Sequence, residues 1–517
     1  MRPGRPSEDA LLALIAGALL PLSLAPVHAW PLAPISVALF YVSCERTSAR
    51  GASGVWPMAA LGFLFGLGKY GVGASWVYVS IHEHGGAPVP LAVLLVGLFV
   101  AFMALFPATQ LAAFGKLRDR LAPPMLQGVT FIALWVLWEW LLTWVLSGFP
   151  WLFVGSGQID GPLAAFAPVG GVLLLSTVTL IMGVALARGV LVRGRAARLR
   201  ALLPGLAVLL LGLALAPVEW TQPTGTGRAA LVQGNIPQAT KWQPAQRAPI
   251  LATMQRLSEP HWGVDLLLWP EAAITLYEHE AAPYLARWAE RGRQAGTTLV
   301  LGLPAVEAVP VPGGDTAYSF ANLAVAVGAG SGRYRKRRLV PFGEYVPLED
   351  LLRGLIRFFD LPMSHASPGP MQQPLLRIGE KRAAMAICYE IAYPALVRGD
   401  MPAAVLLTIS NDTWFGRSLG PEQHRQLARL RALELGRYLL RATNNGYTVI
   451  VDHRGRVTEA LPRFEAGVLQ GAYELRGGLT PFARFGHWPL LLGIGVALSL
   501  VLFLRARLRP AKDTEPP

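Results

Sequence analysis

One cysteine, one glutamate and one lysine carry the chemistry that this sequence could perform. Cys388 follows the strand-like run 382–387, Glu271 follows the apolar run 266–269, and Lys336 lies among basic residues. A nucleophilic thiol needs a base to take its proton and a cation that stabilises the thiolate. A carboxylate whose pKa is raised by a dry pocket can be that base, and an ammonium can stabilise both the thiolate and a developing oxyanion. The three residue types therefore predict a nucleophilic-cysteine site.

Cys388 also has a plain structural explanation. It is one of two cysteines in 517 residues, and the other, Cys44, ends an apolar segment near the N-terminus, so the positions do not favour a disulfide. A lone cysteine is often only a small buried apolar side chain, and Lys336 could belong to a solvated basic face. An unpaired thiol in an oxidising compartment is a liability unless its reactivity is used, which favours the nucleophile.

The region that contains these residues has the pattern of an α/β domain. Between 228 and 475, short apolar strands alternate with amphipathic helices, which predicts layers of helices on a sheet. Sites in such sheets lie at the strand ends, where Glu271 and Cys388 are found. The predicted strands are 229–233, 264–269, 298–303, 319–327, 382–388, 403–410 and 448–451, and the predicted helices are 243–258, 280–295, 390–398 and 421–441.

The rest of the chain has the composition of a membrane protein. Hydrophobic residues make up 53% and charged residues 15%, with a mean hydropathy of +0.41. A helix that crosses the bilayer needs about 20 apolar residues. The candidate spans are 9–27, 30–44, 55–80, 88–115, 125–147, 166–188 and 201–218 before the α/β region, and 487–504 after it.

The basic residues predict an orientation for these spans. Lys and Arg flank alternate spans, whereas the loops 26–31, 82–88 and 147–162 contain neither residue. Since basic loops stay in the cytoplasm, both termini are expected there and the α/β region outside. The net charge of +14 then reflects topology and attraction to anionic headgroups. Nucleic-acid binding is the competing explanation of a basic chain, but no basic stripe interleaved with aromatics occurs in the α/β region.

Two charges interrupt the apolar runs. Lys69 and Glu139 could pair with each other, or Lys69 could snorkel or meet lipid headgroups, and the sequence leaves these alternatives open. Glycines that recur between 62 and 73 predict close helix packing. His82 and His84 are a weak signal for a metal site because no third ligand is nearby.

The motifs together resemble a known family. Trp269-Pro270-Glu271, the run 334–344 and Ile387-Cys388-Tyr389-Glu390 are similar to the carbon–nitrogen hydrolase (nitrilase) superfamily, which uses a Glu-Lys-Cys triad on an αββα sandwich. The runs 75–81, 148–152, 233–238, 410–416 and 441–446 extend the resemblance to the bacterial apolipoprotein N-acyltransferase family. It covers residues 10–504.

The resemblance implies an activity and a role for each site residue. Cys388 would take an acyl chain from the sn-1 ester of a phospholipid, typically phosphatidylethanolamine, and pass it to the N-terminal amine of an S-diacylglyceryl-cysteine apolipoprotein. Glu271 would be the general base, and Lys336 with the backbone N–H of Tyr389 would stabilise the oxyanion. Glu344 and Glu390 would orient Lys336 or the amine, and Trp242 and Trp414 would line the mouth of the site. No metal or organic cofactor is needed, and a monomer is expected.

The predicted architecture is a polytopic α-helical membrane domain of about eight spans plus an extracytoplasmic, nitrilase-like αββα sandwich. The domains are 1–220 (about seven membrane helices), 228–475 (catalytic, periplasmic), 486–504 (a last membrane helix) and 505–517 (a basic cytoplasmic tail), in the bacterial inner membrane.

Two alternative functions are also compatible with these residues. One is a membrane-tethered amidase or nitrilase that uses water as the acceptor. The other is a lipid-handling or transport protein with a degenerate domain, which would form no thioester with phospholipid.

Overall fold

The computed structural model describes residues 5–118, 123–310, 316–345 and 366–507. Residues 508–517 of the predicted tail lie outside that range. The chain forms two compact units. Among the described residues, the helical unit comprises 5–75, 94–118, 123–218 and 485–507, and the α/β unit comprises 76–93, 219–310, 316–345 and 366–484.

Long apolar helices make up the helical unit. Within the described residues, six helical stretches are long and apolar enough to cross a membrane, and they fall at six of the predicted spans. The helices at 32–49 and 488–507, where the second and eighth spans are predicted, are not among these six, so the count of eight remains a prediction. The main helices are α1 (Pro6–Leu19), α2 (Leu32–Ala49), α3 (Val55–Gly73), α4 (Val89–Arg118), α5 (Pro124–Leu141), α6 (Ala167–Leu191), α7 (Arg195–Leu215), α8 (Arg247–Ser258), α9 (Glu278–Ala295), α10 (Gly420–Leu435) and α11 (Trp488–Arg507).

The third span is shorter than predicted. Helix α3 ends at Gly73 rather than at residue 80, and Trp76–Val93 belongs to the α/β unit. Apolar residues continue past Gly73, so hydropathy alone does not mark this end. Within the segment, short helical turns run from Val77 to His84.

Glycines bring α1 and α3 into close contact. A Cβ built at Gly68 would lie 2.3 Å from the carbonyl oxygen of Leu14, and one at Gly17 would lie 2.0 Å from that of Phe65. Backbones approach this closely only where no side chain intervenes, as the glycine pattern predicts. Gly71, on the same helix, would place its Cβ in open space and has no such role.

The described part of the α/β unit forms two six-stranded sheets, ordered β12-β1-β2-β3-β4-β5 and β11-β10-β9-β8-β7-β6. In each sheet three neighbouring strands are parallel, β1-β2-β3 and β7-β8-β9, and the outer pairs are antiparallel. The strands are β1 (Gln222–Gln233), β2 (Leu266–Leu268), β3 (Thr298–Pro310), β4 (Thr316–Gly328), β5 (Gly332–Arg335), β6 (Leu376–Ile378), β7 (Lys381–Ile387), β8 (Val405–Ser410), β9 (Leu439–Thr443), β10 (Val449–Val451), β11 (Val457–Ala460) and β12 (Gly467–Gly477).

Alternating side chains divide the core of this unit into three layers. Leu268 and Leu407 belong to the cluster between the two sheets. Leu267 packs outward with Met254 of α8 in a second cluster, and α10 covers the other sheet in a third. Because adjacent strand residues point to opposite faces, a strand apolar on both faces can serve two layers at once. The layers are helix, sheet, sheet, helix, so the predicted α/β sandwich is confirmed.

The predicted helix 421–441 is wrong at its C-terminal end. Helix α10 ends at Leu435, Gly436 takes the left-handed conformation that stops many helices, and Leu439–Thr443 forms β9 beside β8. All five residues of β9 are buried, and periodicity alone does not separate such a short apolar strand from a continuing helix. Strands β5, β6, β9, β11 and β12 were not predicted from the sequence.

The contact between α1 and α3 gives a test. We expect Gly68→Ala to lower the free energy of unfolding by about 1–3 kcal/mol, because the added methyl group must displace the backbone at Leu14. Gly71→Ala is the matched control, since it adds the same methyl group to the same helix in open space. Thermal unfolding in detergent measures both. Equal melting temperatures for the two variants would show that the close approach does not constrain the helices.

Candidate active site

The predicted catalytic residues meet at strand ends of the α/β unit. Glu271 lies three residues beyond β2, Lys336 directly follows β5, and Cys388 directly follows β7. Asn411 directly follows β8, which is parallel to β7. The carboxyl ends of parallel strands are where sheets of this kind position functional groups.

Lys336 is held between two carboxylates. Its Nζ donates to Oε1 of Glu271 at 3.1 Å and to Oε1 of Glu344 at 2.7 Å. Asn322 Nδ2 also donates to Glu271 Oε1, at 2.7 Å, and the backbone N–H of Asn411 donates to Oε2 at 2.8 Å. Lys336 is 1% exposed and Glu271 6%. Both oxygens of the predicted base are therefore engaged in a dry site.

Cys388 occupies a sharp turn between β7 and the short helical turn Cys388–Ala392. Its φ is +55°, a region that residues with a Cβ rarely adopt. Comparable strand-to-helix turns expose the nucleophilic serine of α/β-hydrolases. The Cys388 side chain is partly exposed, which is consistent with access by a substrate.

The pKa shifts define the resting charges. Burial would raise the pKa of Glu271, but the charge of Lys336 and the hydrogen bonds from Lys336, Asn322 and Asn411 hold it below its usual value. Burial would lower the pKa of Lys336, but the two glutamates raise it well above normal. Burial and the charge of Glu271 raise the pKa of the Cys388 thiol, against the effect of Lys336. At neutral pH the site holds a carboxylate, an ammonium and a neutral thiol.

These charges correct one expectation. From the sequence, a dry pocket is expected to raise the pKa of Glu271, whereas in the structure this pKa is lowered. The reason is that burial is outweighed by donors from three separate parts of the chain. The carboxylate is ionised and ready to accept a proton, and the thiol rather than a thiolate is the resting form.

Of the two supporting glutamates, only Glu344 contacts the lysine side chain. Its other oxygen accepts the backbone N–H of Val340 at 2.9 Å. Glu390 instead fixes the backbone on both sides of the site. It accepts hydrogen bonds from the N–H groups of Ile387 (2.7 Å), Arg337 (2.6 Å) and Arg338 (3.1 Å) and from the hydroxyl of Tyr334 (2.8 Å).

The aromatic residues lie in neighbouring loops. Trp242 follows the short helix Gln238–Lys241, and Lys241 Nζ donates to the backbone carbonyl of Glu271 at 3.4 Å. The carbonyl oxygen of Trp414 accepts a hydrogen bond from the Ser80 hydroxyl at 2.9 Å. The indole ring of Trp414 contacts the His84 ring edge-on, with a centroid distance of 5.6 Å. The segment Trp76–Val93 therefore packs on the loop that carries Trp414. This contact was not predicted from the sequence.

Tyr389 is the first residue after Cys388, and its backbone N–H lies at the start of the helical turn Cys388–Ala392. The Tyr389 ring packs edge-on against Tyr393, with a centroid distance of 5.2 Å.

Several residues of the site were missed by sequence reasoning. Asn322 could have been found as a polar residue inside the apolar strand β4, and Lys241 lies next to Trp242 in the chain. Burial lowers the pKa of Lys241 to about 8, although the charge of Glu271 opposes this. His424 carried no sequence signal, yet its Nε2 lies 3.0 Å from the carbonyl oxygen of Cys388.

In the helical unit, Lys69 and Glu139 line one cavity together with Tyr70 and Gln110. Glu139 Oε1 accepts the indole N–H of Trp135 at 3.1 Å. Lys69 is only 4% exposed, which favours an internal position over snorkelling.

Two protein families match the two parts of the chain separately. Residues 16–185 match the model of the apolipoprotein N-acyltransferase N-terminal domain, and residues 228–477 match that of carbon-nitrogen hydrolases. An apolipoprotein N-acyltransferase of Pseudomonas syringae is 44% identical over 95% of this chain and 95% of its own length. That of Azotobacter vinelandii is 44% identical, covering 98% and 96%, and that of Vibrio cholerae is 38% identical, covering 96% and 98%. With matches of this identity over nearly the full length, the chain belongs to the apolipoprotein N-acyltransferase family of carbon–nitrogen hydrolases.

Proposed function

We propose that this protein transfers an acyl chain from the sn-1 position of a phospholipid, typically phosphatidylethanolamine, to the N-terminal amine of an S-diacylglyceryl-cysteine apolipoprotein. The acyl chain passes through a thioester on Cys388. The observation that carries the proposal is the buried Lys336–Glu271 pair at the strand ends that also present Cys388. Family membership and the apolar helices, which suit a lipid substrate, support it.

In the first step the Cys388 sulfur attacks the ester carbonyl carbon while its proton moves to Glu271. The carbon–sulfur bond forms, and the carbonyl electron pair moves onto oxygen. Lys336 and the backbone N–H of Tyr389 stabilise this oxyanion. When the oxyanion collapses, the ester carbon–oxygen bond breaks, and the lysophospholipid oxygen leaves with the proton from Glu271.

In the second step the amine of the apolipoprotein attacks the thioester carbonyl. Glu271, again a carboxylate, takes one proton from the amine. The oxyanion collapses, the carbon–sulfur bond breaks, and the proton returns to the departing sulfur. The product is an amide, and the resting thiol is restored without a metal or organic cofactor.

The remaining site residues support these steps. Glu344 shares Lys336 with Glu271, which keeps the lysine charged and fixes its position. Glu390 holds the backbone that precedes Cys388 and follows Lys336. Trp242 and Trp414 are assigned to the mouth of the site, where amphipathic rings suit a boundary between lipid and water.

For the membrane arrangement we infer eight spans, with seven in residues 1–220 and one in 486–504. The distribution of Lys and Arg places both termini and the tail 505–517 in the cytoplasm and residues 228–475 in the periplasm of a bacterial inner membrane. One chain supplies the whole Glu-Lys-Cys set, so a monomer is sufficient for the proposed reaction.

The covalent step can be tested directly. We expect Cys388→Ala and Cys388→Ser to form no adduct with phosphatidylethanolamine, because alanine has no nucleophile and a serine hydroxyl is far harder to ionise. Intact mass of the purified protein after exposure to the lipid measures the adduct. Cys44→Ala removes the other thiol, buried in α2, and should retain the adduct. An acylated Cys388→Ala protein would refute the assignment.

The base and the cation should act in one step. We expect Glu271→Gln and Lys336→Ala each to lower kcat by at least about 100-fold, the scale for a lost base or oxyanion partner. The double variant should lose much less than the product of the two effects. Glu259→Gln, which removes a surface carboxylate paired with Arg291, is the matched control and should leave kcat unchanged. Fully multiplicative losses would show that the two residues do not serve one step.

The orientation is tested by labelling single cysteines in a background of Cys44→Ala and Cys388→Ala. Arg293→Cys lies on the exposed face of α9, and Arg195→Cys lies at the exposed start of α7. We expect a membrane-impermeant maleimide to label the first in intact spheroplasts and the second only after lysis. Labelling of Arg195→Cys alone in intact cells would reverse the proposed topology.

A further inference from the structure

A buried polar network lies beside the backbone carbonyl group of Cys388. His424 of α10 is 1% exposed, and its Nε2 lies 3.0 Å from the carbonyl oxygen of Cys388. On the other side of the ring, Nδ1 lies 3.0 Å from Asp412 Oδ1 and 3.0 Å from Arg441 Nη2. Arg441 also donates to Asp412 Oδ2 at 2.8 Å. The Glu-Lys-Cys chemistry described above does not use this network.

The partners of His424 determine where its hydrogens lie. A carbonyl oxygen can only accept, so Nε2 must carry a hydrogen. In the neutral ring, Nδ1 accepts a hydrogen bond from Arg441, and in the protonated ring it donates to Asp412. The bond from Nε2–H to the Cys388 carbonyl is therefore present in both protonation states. Burial and the charge of Arg441 lower the pKa of His424 against the effect of Asp412, which favours the neutral ring.

The Cys388 carbonyl shares a rigid unit with a group that the reaction needs. The carbonyl of Cys388 and the N–H of Tyr389 belong to one peptide group, which is planar and points them in opposite directions. Whatever fixes the carbonyl on one side fixes the N–H on the other. The paired register between β7 and β8 reaches only to Ile387, so beyond the ladder this peptide is held by the helical turn Cys388–Ala392 and by His424. The positive φ of Cys388 makes the turn itself costly.

We propose that His424 is a positioning residue that anchors the carbonyl of Cys388 and thereby aims the N–H of Tyr389 at the oxyanion. The inference rests on the proposed function, because it assigns His424 to the oxyanion formed in acyl transfer. Under this proposal, catalysis and positioning are carried out by different residues. Glu271 and Lys336 act on the thiol and the reacting oxygen, whereas His424 controls only the direction of one backbone donor.

A comparison of two substitutions tests the anchor. His424→Leu removes the donor, and His424→Gln keeps an amide N–H that can reach the same carbonyl. We expect His424→Leu to lower kcat for acyl transfer from phosphatidylethanolamine by at least about tenfold, part of the 10²–10³ effect of losing an oxyanion donor, with KM within about twofold. His424→Gln should recover kcat to within about threefold of the unmodified protein.

Alkylation of Cys388 distinguishes positioning from a general structural effect. Iodoacetamide reacts with the sulfur by a displacement that forms no oxyanion, so its rate with His424→Leu should stay within about twofold of the unmodified protein. His487→Leu, which removes another buried imidazole near the carbonyl of Gly170, is the matched control and should change neither rate. Parallel losses of alkylation and acyl transfer in His424→Leu, or an unchanged kcat, would overturn the proposal.

A soluble ester keeps the test independent of the lipid. A p-nitrophenyl acyl ester forms the same kind of oxyanion at Cys388 without needing a phospholipid. If the unmodified protein reacts with this ester but not with phosphatidylethanolamine, the proposed donor is wrong, and His424 is still judged by the effect of His424→Leu on the ester reaction. An ester rate unaffected by His424→Leu would reject the anchor whatever the natural acyl donor is.

Discussion

The site depends on one buried ammonium shared by two carboxylates. Lys336 bonds to Glu271 and Glu344 where almost no solvent reaches, and breaking such a pair from one side typically costs about 3–5 kcal/mol. A buried pair is stable only when its remaining lone pairs are satisfied, and Asn322 and the backbone of Asn411 do this for Glu271. Three strands of one sheet (β2, β4 and β5) and the end of β8 in the other must therefore be in place before Cys388 has a base.

From the sequence, the residues of this site can be predicted more readily than their contacts and charge states. Glu271 and Cys388 stand out because each follows an apolar strand, whereas Lys336 lies in a basic run that a solvated face would explain equally well. Asn322 is 51 residues from the carboxylate that it contacts, and no local pattern reports such a contact. For the same reason the direction of the pKa shift of Glu271 could not be foreseen, since the donors that reverse it are distant in sequence.

Errors in the predicted elements have the same local origin. Hydropathy extends the third span past Gly73, although the following residues pack in the α/β unit around Trp414. Periodicity likewise extends α10 through Gly436 into β9. In both places apolar residues continue across the boundary, and what ends the helix is a tertiary contact or a left-handed glycine. The ends of β2, β7, β8 and β10, by contrast, were predicted within about two residues, because burial on both faces leaves little choice of side chain. Strands β1 and β3 extend well beyond the predicted 229–233 and 298–303.

The resting charges also explain how a free thiol is tolerated under the proposed topology. Thiolates, rather than thiols, react with oxidants and electrophiles. Burial and the neighbouring Glu271 charge raise the pKa of Cys388, so the sulfur stays protonated until it is close enough to a carbonyl carbon to bond to it. Because the carboxylate is already ionised, it can take the proton as the carbon–sulfur bond forms. A nucleophile that is ionised only in the presence of its substrate suits an oxidising compartment better than a permanent thiolate.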